Sequence, residues 1–205
     1  MKLFLFDFDG VLMESLDVYE KTVSLCLEKI NKPLTRGREE FLELFEGNFY
    51  ESLVKRGVDL KEFMEASGSL LTNFNYSEIK PVLAMMPVLQ EMKKKNILLL
   101  VSSNDSGTIK GALERYHFGD YFQEILGSDF MLSKKDKMLY AINKFQIAPE
   151  DIYYIGDTTG DIMEGKLAGV KTVGVTWGWH SKEKMAQAKP DYLFDNPRDL
   201  LQLNQ

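Results

Sequence analysis

One cysteine stands among the 205 residues, so no disulfide can form within the chain and a zinc cage of thiolates is excluded. That residue, Cys26, falls inside the helical pattern "TVSLCLEKI" and reads as a small packed hydrophobe. Histidine is scarce as well: His117 and His180 have no metal-ligand spacing to one another, and neither is assigned a functional role. No apolar run approaches the ~20 residues that a bilayer span needs. The opening "LFLF" lacks the flanks of a secretory signal, so a reducing, cytoplasmic setting is expected. An excess of basic residues is missing too. With a formal net charge of -6, no broad cationic surface for nucleic acid or an anionic membrane is expected. A small acidic substrate stays compatible, because a local cationic pocket can exist on an acidic protein. Internal repeats and low-complexity stretches are absent.

What is present is an ordinary globular balance, 44% hydrophobic and 27% charged, which rules out a wholly disordered chain. The length suits one large domain or a core carrying a smaller insert. Three apolar runs end abruptly in polar residues: Leu3–Phe6 before Asp7, Ile97–Val101 before "SSND", and Ile152–Ile155 before "GDTTGD". Such runs read as strands buried on both faces, as in a parallel sheet. Helical patterns such as "MPVLQEMKKK" and "KKDKMLYAINKF" lie between them, and "VKTVGVTW" and "DYLFD" read as further strands. The expectation is an α/β fold, a doubly wound Rossmann-like parallel sheet, formed by residues 1–13 and 83–205. Residues 14–82 carry apolar residues at helical spacing in "SLDVYEKTVSLCLEKIN", "REEFLELFEGNFYESLVKRG" and "LKEFMEASGSLLTNF". This segment is expected to be a small all-helical cap inserted over the crevice, excluding water and touching substrate.

In a parallel sheet the loops beyond the strand C-termini build the binding crevice, so the three polar tails gather on one edge. Asp7 and Asp9, two residues apart, can address one reacting centre as nucleophile with metal ligand and as general acid/base. Gly10 lets the backbone turn and approach a ligand closely. Asp157 adds a carboxylate to that edge, and clustered acids of this kind suit Mg²⁺. Asp161, four residues on, reads as a metal ligand or as a helix N-cap. Ser103 and Asn104 offer a hydroxyl and backbone N–H groups for phosphate oxygens. The constellation needs a cation for that phosphate, and "LSKKDK" supplies Lys134, Lys135 and Lys137.

Together "DFDGVL", "VSSN", the lysine of "SKKDK" and "GDTTGD" resemble, in order and spacing, the four motifs of the haloacid dehalogenase superfamily. The likeness is to its phosphatase branch with a small helical cap and covers nearly the whole chain. "DTTGDI", "VTWGWH" and "PDYLFDNPRDLL" further resemble phosphoglycolate-phosphatase-like members. The resemblance implies a Mg²⁺-dependent phosphatase acting on a small phosphorylated metabolite. Asp7 would form an aspartyl-phosphate and Asp9 would move protons. Asp7, the Asp9 carbonyl and Asp157 would hold the metal, with Ser103, Asn104 and a lysine on the phosphoryl oxygens. Spacing to Asp157 favours Lys134 as that lysine, while the helix pattern also suits Lys135. Two departures stand out: Glu14-Ser15 where many relatives have Asp-Ser, and no proline after the lysine. A phosphomutase shares every one of these core residues, and a receiver-like phospho-accepting module shares the aspartate, hydroxyl and lysine.

Other features have plainer readings. Trp177 and Trp179 are expected to pack under the cap or close the sheet edge. Lys93–Lys95 complement a helix C-terminus, and Met85 and Met86 fill the return from cap to core. Arg36, Arg38 and Arg56 are the cap cations from which a binder for a distal carboxylate or phosphate is expected.

Overall fold

The computed structural model describes residues 1–71, 79–118 and 121–204. Leu3–Phe6 forms β1, fully buried, and Ile97–Val101 (β4) and Ile152–Gly156 (β6) flank it in parallel. With Glu124–Leu126 (β5), Lys171–Val175 (β7) and Tyr192–Phe194 (β8), they make a six-stranded sheet in the order β5-β4-β1-β6-β7-β8. Every neighbouring pair in it is parallel. The chain therefore builds outward from β1 on one side, then crosses back to build on the other. That reversal opens a crevice beyond the C-terminal end of β1. Phe6 pairs with Leu100 and with Ile155, so Asp7, Ser102 and Asp157 emerge together at the crevice. Strand β5 was not expected from the sequence, because three residues at an edge are too short for an apolar run to stand out.

Two helices aim side chains at this edge. Lys134–Phe145 (α7) starts at Ser133, whose hydroxyl accepts the Asp136 N–H at 3.1 Å. Its buried positions, Lys134, Lys137, Met138 and Ala141, follow helical spacing, so two lysines share the inward face with apolar residues. Thr159–Ala168 (α8) begins with a reciprocal capping box between Thr158 and Asp161. The expected N-cap role of Asp161 is thus corrected: Thr158 caps the helix, and Asp161, three residues on, closes the box.

Residues Leu16–Lys29 (α1), Arg38–Glu43 (α2), Phe49–Lys55 (α3) and Leu60–Leu71 (α4) form a helical layer with its own core of Val23, Leu27, Phe41, Leu53 and Phe63. The expected run through "LLTNF" ends at Leu71 in the described residues; Thr72–Phe74 lie outside them. The chain enters and leaves this layer through a two-stranded antiparallel ribbon, Met13–Glu14 (β2) against Lys80–Pro81 (β3). Met85–Lys93 (α5), Ser106–Arg115 (α6) and Lys182–Gln187 (α9) complete the helices that the site requires. Among the described residues, no helix is long and apolar enough to cross a membrane.

Candidate active site

Asp7 is fixed by the sheet itself. Its N–H donates to the Ile155 carbonyl at 2.9 Å, continuing the ladder one residue past β1. One carboxylate oxygen accepts the Phe8 N–H at 2.7 Å, and the other accepts Lys134 Nζ at 2.7 Å. The same ammonium donates to Asp161 Oδ1 at 2.6 Å. Burial pushes the Asp7 carboxyl up to about 7 even though Lys134 pulls it down. Burial also works against the Lys134 charge, yet Asp161 and Asp7 outweigh it and hold its pKa well above the ordinary value. The structure brings Lys134 to the acids. Lys135 points away, with its ammonium 3.5 Å from Asp136 and its side chain 40% exposed.

Asp161 is saturated. Besides Lys134, it accepts from Tyr154 OH at 2.9 Å, the N–H of Asp157 at 3.2 Å, the N–H of Thr158 at 3.0 Å and the Thr158 hydroxyl at 2.7 Å. Burial raises its pKa, but Lys134 and these donors bring it below the usual carboxylate range. Asp157 is the opposite case. Oδ2 accepts the Trp179 N–H at 2.7 Å, while Oδ1 is buried without any partner. Burial, Asp161 and Asp7 hold its pKa well above the ordinary range. Oxygens of Asp7, Asp157 and Asp161 lie within 4.8 Å of one another. An orphaned carboxylate oxygen beside a second acid fits a divalent cation with oxygen ligands. Asp161, its oxygens already engaged, fits better as the residue that positions Lys134.

Gly10 makes this packing possible. Its φ is +76°, and a Cβ there would lie 2.0 Å from Asp157 Oδ2. Gly10→Ala should therefore displace Asp157, lower the melting temperature and weaken divalent-cation binding measured by titration calorimetry. Unchanged cation affinity would show that Asp157 does not need its present position.

Asp9 is buried and accepts Asn104 Nδ2 at 3.3 Å. Burial pushes its carboxyl up to about 6, with Ser15 and Asn104 opposing. Ser103 lines the small chamber that Asp7, Asp9, Lys134 and Asp157 enclose. Ser102, which sequence reasoning did not single out, lines the same chamber, and its hydroxyl accepts the Asn104 N–H at 3.0 Å. The available signal was register: Ser102 is the first residue past β4, as Asp7 is the first past β1. Lys137 is fully buried and donates to the Ser102 carbonyl at 2.5 Å. Burial and the neighbouring Lys134 pull its pKa down to about 7.

The helical layer is tied directly over these loops. Tyr50 OH donates to the Ser103 carbonyl at 2.7 Å, and Asn48 Nδ2 donates to Glu164 at 3.0 Å. The Gly160 N–H reaches the Phe45 carbonyl at 3.0 Å. His180 accepts the Thr159 N–H on Nδ1 at 3.0 Å, which leaves its proton on Nε2 facing the Leu42 carbonyl at 3.1 Å. Burial lowers its pKa and keeps the ring neutral, so this histidine works as a tie between layer and core. Trp179 packs among Tyr19, Phe41 and Phe45, and Trp177 donates to the Val11 carbonyl at 3.2 Å. A cavity of about 510 Å³ lies between α1, α3, α4 and the core, with Asp9, Ser103 and Asn104 among its lining. Arg36 pairs with Glu43, Arg38 with Asp17 and Glu20, and Arg56 with Glu40, and none lines that cavity. Each has a carboxylate partner within its own layer.

A family model described as haloacid dehalogenase-like hydrolase matches residues 4–175. The sequence is 28% identical over 222 residues to the phosphoglycolate phosphatase of Haemophilus influenzae, covering 98% of this chain and 97% of that protein. It is 30% identical over 214 residues to the phosphoglycolate phosphatase of Aquifex aeolicus, covering 99% and 96%. A crystal structure described as "a predicted phosphatase from Clostridium acetobutylicum" superposes with a TM-score of 0.82 at 21% identity, over 98% of this chain and 96% of that one.

Proposed function

We propose that this chain, which belongs to the haloacid dehalogenase-like hydrolase family, hydrolyses a small organic phosphate monoester in two transfers through Asp7. The observation that carries this reading is Lys134 held between Asp7 and Asp161, in the lining of a chamber that also includes Asp9. The phosphatase names of the relatives support the same class of substrate.

An Asp7 oxygen attacks phosphorus, the bond from phosphorus to the ester oxygen breaks, and Asp9 protonates the leaving alkoxide. Asp9 then takes a proton from water, which attacks the aspartyl-phosphate to release phosphate and restore Asp7. A carboxyl whose pKa lies near 6 suits both duties close to neutral pH. Lys134 and the hydroxyls of Ser102 and Ser103 line the chamber and would donate to phosphoryl oxygens, and the Asn104 N–H would join them on leaving the Ser102 hydroxyl. Mg²⁺, held by Asp7, Asp157 and the Asp9 carbonyl, would neutralise charge on the transferring group. The insertion, taken as residues 14–82 with its described helices between Leu16 and Leu71, would keep bulk water from the aspartyl-phosphate.

EDTA should abolish turnover of a phosphate monoester and added Mg²⁺ should restore it; metal-independent hydrolysis would overturn the reading. With Asp9→Asn, hydrolysis of alkyl phosphates should fall ~10²–10⁴-fold. A nitrophenyl ester, whose leaving group needs no proton, should still give a burst followed by a slow phase. Wild-type rates on alkyl phosphates would remove Asp9 from the chemistry.

A further inference from the structure

We infer that the ester's leaving group is an uncharged alcohol with an apolar or aromatic body, which sets the substrate apart from a short carboxylate ester such as phosphoglycolate. This rests on the phosphatase reading, since it concerns the pocket that opens from the same reaction centre. Asp9 and Ser103 line both the small chamber and the cavity of about 510 Å³, so a leaving group released at Asp9 enters that cavity. Its volume falls in the range of sites that enclose drug-sized ligands and far exceeds what two carbons need. The wall opposite the core is built from Tyr19, Val23, Cys26, Phe49, Phe63 and Met64.

The charged groups in this cavity's described lining are all acids. Among its described lining residues the ionisable acids are Asp9 and Asp105, and no lysine, arginine or histidine joins them. Residues 72–78, outside the described residues, read TNFNYSE and contain no basic residue either. Asp105 is engaged as the N-cap of α6, accepting the Thr108 N–H at 2.9 Å. Thr22 donates its hydroxyl to the Val18 carbonyl at 2.8 Å, and Tyr50 donates to Ser103. A carboxylate placed here would lose hydration and find no cation among the described lining residues. An ammonium group would meet Asp9 but lose hydration against a thiol, a thioether and a valine. An uncharged apolar group gains from leaving water and meets no opposing charge.

The test compares kcat/KM on benzyl phosphate, 4-carboxybenzyl phosphate, ethyl phosphate, phosphoglycolate and phosphoethanolamine, with acetyl phosphate as a reference that has no need of the cavity. Benzyl phosphate should exceed phosphoglycolate by ~10²-fold or more, since single methylenes in apolar pockets are worth roughly 10–200-fold. Ethyl phosphate should fall between them, and the 4-carboxy group should cost at least ~10-fold against plain benzyl, the scale of a charge left without a partner. Met64→Lys, at a wall position 39% exposed, should narrow the gap between the two benzyl esters by about 10-fold. That ratio within one variant is insensitive to any loss of folded protein. If phosphoglycolate or phosphoethanolamine matches benzyl phosphate while acetyl phosphate is turned over, the leaving-group inference is overturned and the phosphatase reading stands. If no ester and no acetyl phosphate is hydrolysed, both fall.

Discussion

Asp7→Asn should abolish turnover while making the metal-free protein more stable. The amide is no nucleophile toward phosphorus, so no aspartyl-phosphate should be trapped by acid quench, and the rate should fall by on the order of 10⁴ or more. Stability should move the other way. The folded-state pKa of Asp7 is about 7 against an ordinary 3.8, with burial the largest cause. Ionising it therefore costs stability as pH rises through that window, and the cost is fully present above it. Asparagine keeps the shape and can still accept from Lys134 without the buried charge. Calorimetry in EDTA at pH 8 should show a rise in Tm of roughly 5 °C, given a few degrees per kcal/mol for a domain of this size. A fall in Tm would mean that the Asp7 charge braces Lys134 more than burial penalises it. Residual wild-type turnover would remove Asp7 as nucleophile.

Lys134→Met should damage both properties at once. The ammonium is the one basic side chain in hydrogen-bond contact with Asp7 and Asp161 among the described residues. Removing it leaves buried carboxylates facing one another, a change that typically costs ~3–5 kcal/mol. Tm in EDTA should drop by about 10 °C. Turnover at a temperature where the variant is folded should fall on the order of 10³-fold, the scale of losing a preorganised donor to an oxyanion. Lys135→Met should change neither by much, since its ammonium lies beside the exposed Asp136 and makes no contact with Asp7 or Asp161. Pairing Lys134→Met with Asp161→Asn should recover part of the stability but none of the activity, because the two side chains interact directly. Equal losses from Lys134→Met and Lys135→Met would contradict the geometry.

Much of the fold was legible because burial on both faces leaves a plain mark. Leu3–Phe6, Ile97–Val101 and Ile152–Gly156 are central strands with nearly unbroken apolar sequences, and each ends at a polar residue. The short edge strand Glu124–Leu126 left no such mark, because three residues with an acid among them give no apolar run. The acids and hydroxyls at the sheet edge were legible for the same reason, since each follows a strand end. Ser102 and Ser103 are equivalent in the sequence and differ only in register, which the sheet sets.

What the sequence determined by itself is the parallel sheet, the helical insertion and the gathering of Asp7, Asp9 and Asp157 on one edge, since hydrophobic period and strand ends are local properties. Only the tertiary structure decided which neighbours share those charges. Lys134 rather than Lys135 turns inward because one residue is 100° of rotation on a helix, and α7 buries the face of positions 134, 137, 138 and 141. Asp161 became the partner of Lys134, and Asp157 kept an unpartnered oxygen, through packing between α7, α8 and the Trp179 loop. The cap arginines pair with acids of their own layer, and none is among the described lining of the cavity beside Asp9. Ion pairing and cavity lining depend on residues far apart in the chain, and their partners are fixed only when the layers close.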